Sequence, residues 1–206
     1  MRYASVQYSI LYQQFLDSND TFYPEFGYPL KQDWVATGPT NGWTAGFFSG
    51  VFWNLVQYNV TEESLKRAED VTAPIAPFAN RTGGIDIGFV IMPSFGNGYH
   101  ILKRPDYLDA MINSAYILGG QYSAVLYCRR PSLHNGSFSI FIDNIMNLEL
   151  LFEVSNLTKN QTLYDIAWQY ANITMYEGFR ENNSTYHIVE YNRTNCNAIR
   201  KYTRQG

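Results

Sequence analysis

The stretch WTAGFFSGVFWNLVQY (residues 43–58) decides the fold. It holds no charged side chain, and its apolar residues run almost all the way round a helical projection. A helix of that kind is covered on every side rather than along one stripe. Its small residues Ala45, Gly46, Ser49 and Gly50 suit close packing against neighbours. Asn54 and Gln57 interrupt it, and the apolar run 45–56 is too short to span a bilayer, so no membrane partner is expected. The stretch reads as a buried core helix.

The surrounding chain alternates in character. Residues 61–71 read as a polar helix, opened by Thr61 as N-cap with Glu62 and Glu63 in the first turn, and Pro74 and Pro77 end or kink it. Upstream, residues 4–18 read as a helix with Val6, Ile10, Leu11 and Phe15 roughly on one face. A loop with Pro24, Pro29 and Pro39 as breakers follows. Downstream of Gly83-Gly84, residues 86–92 read as a second buried helix. Residues 105–122 form an amphipathic one with Pro105 in its first turn. Residues 143–155 read as a third buried helix, 158–176 as another amphipathic one, and 186–191 as a short strand or extended turn.

Buried helices thus alternate with polar ones at a period of roughly 50 residues per pair, the signature of an α-hairpin array. Inner and outer helices alternate in this way in an α/α toroid. The expected fold is all-α, with residues 1–206 forming one partial domain. About six or seven helices would supply roughly the N-terminal half of a closed toroid of six hairpins.

Composition narrows the partners. The net charge is −3 and no basic stripe appears, which argues against nucleic acid. Aromatic residues make up 17%; they suit a sugar-binding cleft and equally an ordinary helical core. Asn-x-Ser/Thr starts at Asn19, Asn59, Asn80, Asn135, Asn156, Asn160, Asn172, Asn182, Asn183 and Asn192. Composition alone would give about two such sequons rather than ten, and the excess points to N-glycosylation in a eukaryotic secretory pathway. The expectation is a secreted glycoprotein, although no apolar leader follows Met1-Arg2-Tyr3. Cys128 and Cys196 fit no metal-ligand spacing. They could pair in an oxidising compartment, a matter the sequence leaves open.

Two aspartates stand among apolar neighbours. Asp143 lies in Ile140-Phe141-Ile142-Asp143-Asn144-Ile145-Met146, and Asp86 in Gly84-Ile85-Asp86-Ile87-Gly88-Phe89. A carboxyl group in apolar surroundings holds its proton to higher pH and can serve as an acid near neutrality. Both also stand where a helix begins, so each can equally be a plain N-cap, and a helix N-terminus opposes the burial effect. Two carboxylates opening two inner helices would share one end of a toroid, and hence one cleft. His187 sits among Tyr186, Ile188 and Val189 and reads on its own as a structural histidine. His100 and His134 show no partner pattern. Residues 94–98 (SFGNG) read as a tight turn rather than a phosphate loop. Glu149 and Glu153, spaced i,i+4, read as outer-face or interhelix groups.

Five stretches together resemble the unsaturated glucuronyl hydrolases, glycoside hydrolase family 88. They are residues 42–50 (GWTAGFFSG), 86–89 (DIGF), 94–99 (SFGNGY), 142–148 (IDNIMNL) and 186–189 (YHIV), in family order and with family-like gaps. The resemblance covers about residues 22–206. It implies an (α/α)6 barrel that acts on oligosaccharides already cut by a polysaccharide lyase. Those carry a 4,5-unsaturated uronic acid at the non-reducing end, whose vinyl ether is hydrated with no metal or organic cofactor. It further implies Asp143 as general acid/base, Asp86 as the second active-site aspartate, and Trp43, Asn144 and His187 as substrate-binding residues.

This chain also departs from the family pattern. Ile85 stands where the family has His, and Tyr127-Cys128-Arg129 stands near where a Trp-Asp pair is usual. Thr203-Arg204-Gln205-Gly206 resembles the start of a longer family segment, so a C-terminal truncation is expected, with an apolar face left open to self-association. Two other readings stay open: an unsaturated rhamnogalacturonyl hydrolase, and a carbohydrate-binding remnant without catalysis.

Overall fold

The computed structural model describes residues 2–28, 33–81, 86–127 and 136–204. The described chain is mostly helical, as expected, with two small antiparallel sheets. It divides into two compact units, Met1–Ser114 and Ala115–Gly206. No helix among the described residues is long and apolar enough to cross a membrane.

In the first unit, α1 (Arg2–Asp17) leads into a hairpin of β1 (Tyr23–Tyr28) and β2 (Asp33–Thr37). The sequence reading made this proline-rich segment a loop. Burial of one ring explains the difference. Tyr23 is fully buried, meets Phe15 and Phe48 edge-on at 5.8 and 5.6 Å, and donates its hydroxyl to the Val71 carbonyl at 2.9 Å. Pro24 is accommodated where the register slips, between Pro24 and Phe26, since it has no N–H for the ladder.

Helix α2 (Ala45–Tyr58) is the buried helix that its sequence predicts, with eight of its residues in the core. Helix α3 (Glu62–Thr72) lies along it. Thr61 caps α3 as expected: its hydroxyl accepts from the Ser64 amide at 3.0 Å, while the Thr61 amide donates to the Ser64 hydroxyl at 2.9 Å. The α2–α3 seam holds a small polar knot. Thr72 donates its single hydroxyl proton to the Ala68 carbonyl at 2.6 Å. The Ser49 hydroxyl, 2.7 Å away, is therefore the donor in its bond to Thr72, alongside the Trp53 indole N–H at 2.9 Å. All these groups are buried and satisfied, so the knot fixes the register of the pair.

A 3-10 segment, Ala73–Asn80, carries the chain past Pro74 and Pro77. Next come α4 (Ile87–Ile91), a π-turn Met92–Gly96, and α5 (Asn97–Leu102). The tight turn expected at 94–98 is thus helical. Pro93 cannot donate within the helix, which widens there, and Ser94 turns its buried hydroxyl back to the Val90 carbonyl at 2.5 Å. Helix α6 (Pro105–Tyr127) begins in this unit and runs further than its predicted end.

Later elements belong to the second unit: β3 (Ser137–Phe141), a 3-10 turn Ile142–Asn144, α7 (Ile145–Thr158), α8 (Gln161–Glu177), β4 (Ile188–Asn192) and β5 (Ala198–Tyr202). The strands form an antiparallel sheet in the order β3-β4-β5. Lys159, at φ 56°, ends α7, and Asn160 caps α8 by accepting from the amides of Thr162 and Leu163 at 3.0 and 3.3 Å. Gly119 of α6 sits against Leu163, Ile166 and Leu151, which brings three helices together around a position with no side chain.

Gly46 sets the approach of α2 to α4. A Cβ there would lie 2.4 Å from the Val90 carbonyl oxygen and 2.6 Å from that of Phe89. Backbone atoms cannot swing aside as side chains can. Gly46→Ala is therefore expected to cost about 1–3 kcal/mol, the usual range for overpacking. The fall in the urea midpoint of the purified chain measures it; an unchanged midpoint would show that the helices can part.

Candidate active site

The second unit brings together Asp143, Asn144 and His187. Strand β3 pairs with β4 so that Phe141 faces Ile188 and Ile140 faces Val189. One residue further on, the Ile142 amide donates to the His187 carbonyl at 3.0 Å. The Phe141 ring meets the His187 imidazole edge-on, with centroids 6.0 Å apart. Asp143 follows at once, in the 3-10 turn that leads into α7.

Asp143 is exposed, and so are the flanking Ile145 and Met146. The enclosed apolar setting that the sequence suggested for this carboxylate is not found within this chain. The N-cap alternative does not hold either. Asn144 occupies the cap position of α7, and no side-chain bond caps that helix or the turn before it.

Beneath Asp143 lies a buried polar network that the sequence reading missed. Asn144 is 2% exposed and donates its amide to the Tyr170 hydroxyl at 3.1 Å. The same oxygen accepts weakly from the Phe141 amide at 3.4 Å. Asn147 donates to the Tyr122 hydroxyl at 2.9 Å, and the Tyr122 ring stacks on that of Tyr170 with centroids 4.7 Å apart. The strand-to-helix corner that presents Asp143 is thus held from below. Burial, above all, pushes the Tyr170 hydroxyl up to about 12; its hydrogen bonds pull the other way, and the nearby Asp143 charge adds to the rise. The one available signal was Asn144 and Asn147, two amides three residues apart on an otherwise apolar helix face, which called for buried partners.

The first unit holds the other two predicted residues. Asp86 stands at the cap position of α4 without a side-chain capping bond, so it too is not a plain N-cap. Trp43 is 50% exposed, and its indole is braced edge-on by Phe47 and Phe89, each at 5.9 Å. Phe89 follows Asp86 by three residues, so one short helix carries both the carboxylate and a ring that braces Trp43. The departures at Ile85 and Cys128, and His134, lie outside the described residues. Among those described, no group of three or more His, Cys, Asp or Glu could hold a metal ion.

No family model matches the chain. Among curated proteins it is 32% identical over 185 residues to an unsaturated glucuronyl hydrolase of Formosa agariphila, covering 86% of this chain and 45% of that protein. It is 25% identical over 199 residues to an unsaturated chondroitin disaccharide hydrolase of Streptococcus pyogenes, covering 91% and 49%. Among solved structures it is similar to an unsaturated glucuronyl hydrolase specific for heparin, with a TM-score of 0.85, 26% identity, and coverage of 98% of this chain and 54% of that one. The enzyme of Bacillus sp. GL1 gives a TM-score of 0.78 at 22% identity. The expected resemblance, in sequence and in fold, is borne out. The chain spans about half the length of the relatives it matches.

Replacing Tyr170 with Phe removes the acceptor for Asn144 and Phe141 and is expected to cost about 1–3 kcal/mol. The pH dependence reports in addition on the burial of that hydroxyl. Below about pH 10 the tyrosine is protonated in both folded and unfolded chains. Between about 10 and 12 the unfolded chain releases its proton first, so stability falls as pH rises through that window. Urea midpoints across pH 9–12 should fall less steeply in Tyr170→Phe than in the native chain; equal slopes would show that the hydroxyl is not buried.

Proposed function

Starting from the likeness to unsaturated glucuronyl hydrolases, we propose that this chain carries the acid/base half of a glycoside hydrolase. Its substrate is a lyase-generated oligosaccharide with a 4,5-unsaturated uronic acid at the non-reducing end. Asp143 donates a proton to the carbon–carbon double bond, then as carboxylate draws a proton from the water that attacks the neighbouring carbon. The hemiketal so formed rearranges and releases the remaining sugar. His187 borders Asp143 and contacts the substrate, while Asn144 acts from beneath by holding the corner through Tyr170. Asp86 is the second carboxylate and positions the substrate. Trp43 offers an exposed indole face to a sugar ring.

One observation carries this reading. Asp143 is exposed at a corner held by a buried network, beside His187, in a chain similar to proteins bearing that activity in their names. An N-cap would make a capping bond, and a core ion would not be exposed. The names of the relatives, glucuronyl and chondroitin disaccharide hydrolase, favour this reading over a rhamnogalacturonyl substrate.

A secretory location is proposed with it. Nine of the ten sequon asparagines are described, and none is buried. Cys196 is disulfide-bonded, in keeping with an oxidising compartment.

The test is the loss of ultraviolet absorbance from an unsaturated uronyl disaccharide. The native chain should consume it, and Asp143→Asn should be slower by at least about 100-fold, the usual scale for losing a general acid/base. Equal rates in both would overturn the role of Asp143. Disaccharide binding without turnover, seen by calorimetry, would instead make the chain a carbohydrate-binding protein.

A further inference from the structure

Helix α8 carries Asn172 in the middle of an exposed aromatic face. Trp168 lies four residues before it and Tyr176 four after, so the three side chains share one side of the helix. Trp168 is 44% exposed and Tyr176 74%. With Asn172 they line a cleft of about 400 Å³, whose other walls include Tyr191 and the disulfide-bonded Cys196. Gln169 and Glu177, also on the cleft, add hydrogen-bonding groups.

The residues at the centre of that face are Asn172-Ile173-Thr174, an acceptor for an N-linked sugar. The Asn172 amide nitrogen donates one hydrogen to the Trp168 carbonyl at 2.9 Å. A carboxamide nitrogen has two, so one remains to be replaced by a sugar carbon without breaking that bond. A pyranose presents an apolar face of C–H groups beside its hydroxyls, and rings flanked by amide and carboxylate groups match both.

We propose that Asn172 carries an N-linked glycan whose first sugars lie in this cleft, stacked on Trp168 and Tyr176. The inference rests on the secretory reading above. The donor class is an oligosaccharide linked to a polyisoprenyl pyrophosphate. The amide nitrogen forms a bond to C1 of the first N-acetylglucosamine, and the bond from C1 to the phosphate oxygen breaks. The pyrophosphate leaves with that electron pair, and the displaced amide proton passes to a base. The Thr174 hydroxyl is 1% exposed and donates to the Tyr170 carbonyl at 2.9 Å. A hydroxyl so engaged is closed to a transferase, so transfer precedes the folding of α8.

The full chain, secreted from a eukaryotic cell line, tests this by glycopeptide mapping and thermal unfolding. Asn172 should be occupied. Asn172→Gln, which spares the buried Thr174, should lower Tm by roughly 2–4 °C. In a Trp168→Ala background that drop should largely vanish, because the two side chains act through one contact. Tyr176→Ala, at the more exposed ring, is the second variant should Trp168→Ala fail to be secreted, and it should reduce the drop likewise. Glycans on other sequons with none on Asn172 would overturn the proposal, as would additive effects of Asn172→Gln with the ring variants. A chain with no glycan at any sequon would overturn the secretory reading itself.

Discussion

The Tyr170 hydroxyl is the point on which the second unit's candidate site turns. It accepts from a backbone amide at the end of β3 and from the side chain of Asn144 as α7 is about to start. A strand-to-helix corner leaves backbone groups without regular partners, and a buried amide without an acceptor is costly. A single phenol oxygen serves both. The corner is thereby fixed in one geometry, and Asp143 is displayed on it with its own side chain uncommitted to capping.

The first unit reaches a comparable rigidity by close approach. Gly46 lets α2 meet the backbone of α4, and Thr72 locks α2 to α3 with every donor and acceptor assigned. Trp43 precedes α2, and Asp86 precedes α4. That helix contact sets Phe89 of α4 against the Trp43 indole.

Much of this was legible in the sequence, and the reason is burial. Residues 43–58 had to be a largely covered helix because they hold no charge and few polar groups, and Thr61 announced its helix by capping chemistry alone. The resemblance marked Asp143, Asp86, Trp43, Asn144 and His187 through five short stretches, whose spacing a single helix prediction could not use. Three features stayed hidden because they depend on partners distant in sequence. Tyr23 pulls a proline-rich segment into a hairpin only because Phe15, Phe48 and the Val71 carbonyl await its ring. Apolar flanks implied an enclosed Asp143, whereas Ile145 and Met146 face outward. Tyr170 gave no local sign that it serves a corner some 26 residues upstream.

The β3–β4 pairing bears on the order of events during synthesis. Helices α7 and α8 are joined by two residues and can collapse together as soon as they emerge. The partner strand of β3 comes roughly 50 residues after it, and closing so long a loop is slow and costs entropy. At translation rates of about 5–20 residues per second, β3 waits several seconds for β4. For that interval the carboxylate exists without the imidazole, and the strand beside it shows an unpaired edge. The candidate site is therefore assembled late, around a helical hairpin already in place, and the nascent chain has most need of a chaperone at that edge.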